Sequence, residues 1–293
     1  MDWNERMNAA LDDIENRLTE KISYREAAAR AGCSAQHFQR MFAFMTEIPL
    51  SEYIRRRRLT LAAFDLQHSA IKVVDVALKY GYESPEAFAR AFQNLHGTTP
   101  SKARSEKTAL KAYPRLAFQF TLKGVAEMNY RLERAEEFRI AGRVETVNTE
   151  RAYEEIGPLW AKAGEEGLFG RLWKLRDEDS PVRGILGVLA DGEWGRGETF
   201  DYYFCVPSKK EVPADLSALT VPDALWVVFD APGTPDGLPN IWKRMYTEWL
   251  PSAPYELANV PAIECYLPPE ENRNELWIPV VPQKERTAEA AQL

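Results

Sequence analysis

Residues 80–92 read YGYESPEAFARAF, and this stretch decides the fold of the first third of the chain. Gly81 predicts a helix end, because glycine readily adopts the left-handed conformation found there. Ser84 and Pro85 form a strong helix start, with serine as the N-cap and proline at the first helical position. Phe88 and Phe92 then share one face of the new helix. The stretch therefore predicts a helix, a glycine turn and a second helix.

A second copy of this pattern precedes it, where residues 31–42 read AGCSAQHFQRMF. Gly32 and Ser34 lie 49 and 50 residues before Gly81 and Ser84. The two copies indicate an internal duplication, joined by a longer helix that carries four consecutive arginines. Two helices joined by a short glycine turn form the unit that reads the DNA major groove.

On the second helix of each copy, the face opposite the phenylalanines is polar. Arginine can bond guanine, glutamine can bond adenine, and glutamate can accept a hydrogen bond from cytosine. We expect the base-reading residues to face outward, and they are Gln36, Gln39, Arg40, Glu86 and Arg90. An ordinary helical bundle is the alternative to DNA binding, but two copies in register favour DNA.

The arginine run covers residues 55–58. Arginines here can neutralise DNA phosphates, although at helical spacing at least one should turn inward. The candidate phosphate contacts are Arg55, Arg57, Lys102 and Arg104. The alternative is a solvated helix face with no partner.

Charge divides the chain into two parts. Residues 1–112 carry 17 Lys and Arg against 14 Asp and Glu, whereas the remainder carries 20 against 30. Such a split suggests a different partner for each part. We expect a DNA-binding domain over residues 1–112, a linker over 113–123, a second domain over 124–283 and a flexible tail over 284–293.

Composition and motifs exclude several classes of protein. A hydrophobic content of 45% with 28% charged residues is ordinary for a globular protein. No apolar run is long enough for a transmembrane helix, and the polar N-terminus does not resemble a signal peptide. The three cysteines lie far apart, which favours a reducing cytoplasm over a disulfide scaffold. The histidine spacing predicts no metal site, and the lack of Walker and GxGxxG patterns predicts no cofactor.

The acidic part alternates strand-like and helical segments. Their order is βαββ followed by βαββ, which predicts an α+β domain of duplicated units with an antiparallel sheet. The fold class is therefore multidomain, with an all-α domain of two helix-turn-helix motifs before the α+β domain.

One carboxylate in this part has unusual neighbours. Strand alternation places Glu264 on the same face as Tyr266. The same domain contains four further aromatic residues that could complete a cage for a cationic or planar ligand, and these are Trp242, Tyr246, Trp226 and Trp277. A glutamate on a solvated sheet face is the alternative. Most aromatic residues in strands belong to the core.

The first part resembles the AraC/XylS-type DNA-binding domain over about residues 5–110. The matching residues include Ala31-Gly32-Cys33-Ser34, Phe38, Arg40, Tyr80-Gly81-Tyr82-Glu83-Ser84, Phe88, Arg90-Ala91-Phe92 and Pro100-Ser101. The resemblance implies that both recognition helices enter successive major-groove segments of one asymmetric site. Glu86 departs from the neutral residue that is frequent in the family.

The second part resembles the GyrI-like domain over about residues 118–282. The resemblance rests on the paired βαββ units, on residues 241–251, on Glu264 with Tyr266, and on the closing strand 276–280. It implies that a buried glutamate, Glu264, meets cationic hydrophobic compounds.

These observations predict a cytoplasmic transcription regulator that binds promoter DNA and a small organic effector. The effector is expected to shift either DNA affinity or contact with RNA polymerase, with no membrane partner. The runner-up is a GyrI-like hydrolase fused to a DNA-binding domain, in which Glu264 would orient water as a general base. A nucleoid-like structural binder is the third interpretation, and the outward arginines argue against it.

Overall fold

The computed structural model describes residues 3–105, 109–118, 127–190, 199–234 and 237–282. The chain divides into two compact units, Met1–Phe120 and Thr121–Leu293. The expected flexible tail lies outside the described residues, as does part of the expected linker. In the described parts of the chain, no helix has the length and apolar character needed to cross a bilayer.

All regular secondary structure in the described residues of the first unit is α-helical. Its helices are α1 (Trp3–Asn16), α2 (Tyr24–Ala31), α3 (Ala35–Thr46), α4 (Leu50–His68), α5 (Val73–Lys79), α6 (Pro85–His96) and α7 (Pro100–Ser105). The pairs α2–α3 and α5–α6 are the two predicted helix-turn-helix copies, and α4 joins them.

Local chemistry defines both helix-turn-helix turns as predicted. The Ser34 side chain accepts a hydrogen bond from the His37 amide, and the Ser84 side chain accepts one from the Ala87 amide. Gly32 and Gly81 have φ values of 75° and 79°, a left-handed conformation that favours glycine. Each turn therefore combines a glycine helix end with a serine N-cap, which confirms the duplication.

A single apolar core supports the second copy. Leu59, Ala62 and Leu66 from α4 are buried against Val76 of α5 and Phe88 of α6, among others. The predicted inward face of α6 is thereby confirmed, since its phenylalanines pack against the joining helix.

The segment that follows the helices is bound to the first unit. Asn8 pairs with the backbone of Phe118, with its side chain both donating and accepting a hydrogen bond. The Tyr113 amide donates to the Thr60 hydroxyl, and the Leu116 amide donates to the Tyr53 hydroxyl. Residues 113–118 of the predicted linker are therefore hydrogen-bonded to the helices.

The second unit is built on one antiparallel sheet. Its strands are β1 (Tyr130–Ala135), β2 (Phe138–Asn148), β3 (Ile185–Ala190), β4 (Thr199–Pro207), β5 (Ser217–Val221), β6 (Ala224–Pro232), β7 (Tyr255–Leu257), β8 (Ala262–Tyr266) and β9 (Arg273–Pro282). The helices are α8 (Ala152–Glu165), α9 (Leu168–Leu175) and α10 (Gly237–Arg244), and α10 continues into a π-helical turn, Met245–Trp249. The predicted βαββ units are β2-α8-β3-β4 and β6-α10-β8-β9.

The strand that precedes each βαββ unit in the chain pairs with the first strand of the other unit. The strand order is β1-β6-β9-β8-β3-β4-β2-β5, with β7 paired to β9. Strand β1 leads into β2 but pairs with β6, while β5 leads into β6 but pairs with β2. This pairing ties each unit to the other. Sequence patterning missed β1, β5 and β7 because they are short and only partly buried.

Candidate functional site

The predicted DNA-reading face is exposed on α6. Glu86 and Arg90 are exposed, as is Gln93 one turn further on, while Phe88 and Phe92 are buried. The structure thus places α6, the predicted second recognition helix, with its arginine toward solvent.

The corresponding face of α3 is buried, so the prediction of outward-facing side chains is wrong for two residues. Gln39 is 1% exposed and Arg40 is 8% exposed, and Gln36 is half-buried. Burial, together with the charge of Arg40, lowers the pKa of His37 to about 3. Helical periodicity shows which residues share a face, but it does not show whether the folded chain covers that face.

The arginine run divides into structural and accessible side chains. Arg57 is paired with Glu15 through two bonds of 2.8 Å and also donates to the Tyr113 carbonyl. Arg58 donates to the Leu18 carbonyl at 2.8 Å. The expected inward turn is therefore confirmed. The assignment of Arg57 to a phosphate is corrected, because its side chain is only 11% exposed and is held by a buried carboxylate.

The remaining phosphate candidates differ in accessibility. Lys102 is exposed on α7, and Arg55 is partly exposed beside Glu52, with 2.7 Å between its Nε and the carboxylate. Arg104 donates a hydrogen bond to the Ile71 carbonyl and is half-buried, so its guanidinium is committed to the fold. Lys102 and Arg55 are thus the accessible members of the set.

A single row of side chains crosses the sheet of the second unit. The strand register aligns Arg143, Phe204, Gly187, Glu264 and Leu276 on five neighbouring strands. Directly opposed residues in adjacent antiparallel strands point to the same face. Glu264 and Gly187 therefore occupy the centre of the face, where strands β8 and β3 of the two βαββ units meet.

Glu264 is the centre of a hydrogen-bonded cluster. It is 9% exposed, and its carboxylate accepts hydrogen bonds from Tyr202 Oη at 2.8 Å, Trp242 Nε1 at 2.8 Å and Tyr266 Oη at 3.2 Å. Burial and the adjacent carboxylate raise the pKa of Tyr202 and of Tyr266 well above the usual value. Both phenols therefore stay protonated and act as donors.

Aromatic rings from two helices line this cluster. Trp160 of α8 donates a hydrogen bond to the Tyr202 hydroxyl at 2.9 Å. Its ring centroid lies 4.2 Å from the ring centroid of Tyr266 and 5.1 Å from that of Phe204. On the other side, Trp242 stacks on Tyr246 with ring centroids 5.6 Å apart. Glu264 is consequently flanked by rings from both halves of the unit.

Part of the predicted aromatic set lies at Glu264. Trp242 and Tyr266 donate hydrogen bonds to its carboxylate, and Tyr246 stacks on Trp242. Trp226 and Trp277 lie on the opposite face, in a core with Ile263 and Cys265. Their expected place in the cage is therefore wrong. The sequence did not show this, because the strand register decides which residues share the face of Glu264.

Sequence reasoning missed three residues of the site, namely Tyr202, Trp160 and Gly187. A β-carbon on Gly187 would lie 2.0 Å from Tyr202 Oη and 3.1 Å from Glu264 Oε2. Only glycine lets the tyrosine hydroxyl reach the carboxylate at this point. A glycine inside a strand indicates a close approach of other groups, and this was the available signal.

Within the described ranges, no group of three or more His, Cys, Asp or Glu side chains is arranged to hold a metal ion. The site is instead a carboxylate set among phenols and indoles. Such a site can hold an organic ligand by packing and charge.

Two family models match the chain. One, described as a GyrI-like small molecule binding domain, covers residues 128–281, and the other, described as a helix-turn-helix domain, covers residues 27–106. The first match extends over more than half of the chain. The chain belongs to the AraC-type helix-turn-helix regulators that carry a GyrI-like domain.

Curated relatives of this AraC-type regulator are also named as regulators. The HTH-type transcriptional activator AarP of Providencia stuartii is 41% identical over 95 residues, which is 32% of this chain and 70% of AarP. The transcriptional regulator Rob of Salmonella typhimurium is 38% identical over 112 residues, which is 37% of this chain and 39% of Rob. Among solved structures, SAV2435 bound to tetraphenylphosphonium matches with a TM-score of 0.47 and 22% identity, over 53% of this chain and 94% of that one.

Proposed function

We propose that this regulator binds a lipophilic organic cation at Glu264 and that binding changes its action on promoter DNA. The observation that supports the ligand class is the buried Glu264 carboxylate, which is hydrogen-bonded by phenols and an indole and flanked by aromatic rings. Aromatic faces attract cations through their quadrupole, and the carboxylate adds a full negative charge. The rings also supply apolar surface for the body of the ligand.

The link to DNA is a coupling between two binding equilibria. A ligand that prefers one state of the protein shifts that state's population, and DNA affinity or polymerase contact changes with it. We propose that the protein acts in the cytoplasm, as promoter binding requires, and that RNA polymerase is its partner at the promoter. Binding without turnover is proposed, since the model that matches residues 128–281 is described as a small molecule binding domain.

Saturating tetraphenylphosphonium should change the affinity of the full chain for its DNA site at least about fivefold. A typical coupling free energy of about 1–3 kcal/mol corresponds to a factor of roughly 5–150. The site is first selected from a random duplex library, and affinity is then measured by fluorescence anisotropy. If neither DNA affinity nor recruitment of purified RNA polymerase changes at saturation, modulation by this ligand class is refuted.

For the DNA face, we propose that Glu86 and Arg90 read bases from α6, which their exposure supports. Base reading by Gln36, Gln39 and Arg40 stays a prediction, and it requires exposure of α3 on DNA.

Arg90→Ala should weaken binding to the selected site by about 1–3 kcal/mol and relax base preference at one position. The matched comparison is Lys102→Ala. It should weaken binding to all duplexes by the same factor and reduce the salt dependence of binding by the amount expected for about one phosphate contact. Quantitative library selection with each variant measures both effects. Unchanged base preference in Arg90→Ala would show that α6 does not read the sequence.

A further inference from the structure

The effector site has a second polar end, which lies on the same row of residues as Glu264. Arg143 of β2 is aligned with Phe204, which is aligned with Gly187, which faces Glu264. Three strand spacings of about 4.8 Å separate the Arg143 and Glu264 backbones, so they lie roughly 14 Å apart. Both side chains point to the same face.

Aromatic side chains cover the sheet between these two charged groups. Gly187 has no side chain and is covered by Tyr202 Oη, and the ring of Phe204 is fully buried. The Arg143 guanidinium carbon lies 5.7 Å from the Phe204 ring centre, while Trp160 contacts the same ring edge-on. A planar or elongated apolar body that displaces Trp160 and the Tyr202 hydroxyl would therefore rest on Gly187 and Phe204, with one end at Glu264 and the other at Arg143.

The Arg143 guanidinium has a buried donor, Nη2, that makes no hydrogen bond to the described residues. Its Nη1 pairs with Glu166 and its Nε lies 3.3 Å from Glu145. Its Nη2 is shielded from solvent and donates no hydrogen bond in the part of the chain that the structure describes. Buried donors are nearly always satisfied, and leaving one unmet is costly. A ligand oxygen at this position would satisfy it.

We propose that the effector is bifunctional, with a cation at Glu264 and a carboxylate or carbonyl oxygen at Arg143. This inference rests on the proposed binding of cations at Glu264. It assigns Arg143 as the residue that selects zwitterionic or acceptor-bearing cations over simple ones. A charge-assisted hydrogen bond to guanidinium of this kind corresponds to about a tenfold gain in affinity.

The test uses two probes that share one cation. Hexyltriphenylphosphonium and (5-carboxypentyl)triphenylphosphonium differ in the end of the alkyl chain, which is a methyl group or a carboxylate. Calorimetry on the full chain should show tighter binding of the carboxylate probe. In Arg143→Met that preference should fall about tenfold, while affinity for the hexyl probe changes less than twofold.

Two further variants separate this role from a structural one. Arg143→Lys keeps the charge but removes Nη2, and it should lose part of the preference. Arg171→Met removes an exposed arginine paired with Asp215 and should keep the full preference. Equal binding of both probes by the parent chain, or an equal loss for both probes in Arg143→Met, overturns the proposal. Binding of neither probe by the parent chain overturns the cation site as well.

Discussion

Glu264→Gln is expected to weaken binding of tetraphenylphosphonium about 100-fold. The substitution preserves the shape of the side chain and removes its charge. A unit charge about 5 Å from a carboxylate, at an effective dielectric constant of about 20, interacts by about 3 kcal/mol, which is roughly two powers of ten in affinity. Isothermal calorimetry on the full chain measures the change.

Two controls isolate the charge at the site. Glu270→Gln removes an exposed carboxylate from the same unit and should leave affinity unchanged. Tetraphenylborate has the shape of the cation with the opposite charge, and it should bind the parent chain poorly and Glu264→Gln no worse. If both variants bind tetraphenylphosphonium as tightly as the parent chain, the carboxylate does not select cations.

The second large effect is expected in the helical unit. Arg57→Ala should lower the free energy of unfolding of this unit by about 3–5 kcal/mol, the usual result of removing one partner of a buried ion pair. Glu15 is 7% exposed and would lose two hydrogen bonds of 2.8 Å. Hydrogen exchange of α1 and α4 peptides reports this unit alone, and the most protected amides should exchange roughly 100-fold faster or more.

Arg55→Ala is the matched control from the same run of arginines. Arg55 is paired with Glu52 on a more exposed surface, where such pairs contribute about 0–1 kcal/mol. Similar losses in both variants would contradict the division of the run into structural and accessible arginines.

The Arg57 effect should also depend on pH. Burial alone would raise the pKa of Glu15. The hydrogen bonds from Arg57 and Tyr53 outweigh this effect, so the pKa of Glu15 lies below its ordinary value. A carboxyl with a lowered folded pKa stabilises the fold above its unfolded pKa and loses that contribution as the pH falls through the folded pKa. The difference in free energy of unfolding between Arg57→Ala and the parent chain should therefore become smaller as the pH falls through the folded pKa of Glu15.

The helical unit was largely predictable from sequence because its signals are local. The N-caps Ser34 and Ser84 and the turns at Gly32 and Gly81 act within four residues of themselves, so their chemistry is visible in the chain. The periodicity of α6 likewise predicted its buried phenylalanines. The same reasoning failed for α3, where burial of Gln39 and Arg40 depends on the folded surroundings.

Only part of the cluster around Glu264 was predictable from the sequence. Strand alternation identified Glu264 and Tyr266, and the preceding helix with its π-helical turn contributed Trp242 and Tyr246. Tyr202 and Trp160 are 62 and 104 residues from Glu264 in sequence, and no local pattern connects them.

Spacing within single segments was enough to identify the family, the duplicated helix-turn-helix motifs, the βαββ repeats and the central glutamate. The remaining features depend on contacts between segments. Strand register placed Gly187 and Tyr202 beside Glu264 and moved Trp226 and Trp277 to the opposite face. Long-range packing turned Arg57 onto Glu15. Register and packing depend on contacts between distant segments, where a shift of one residue reverses the face of every side chain in a strand.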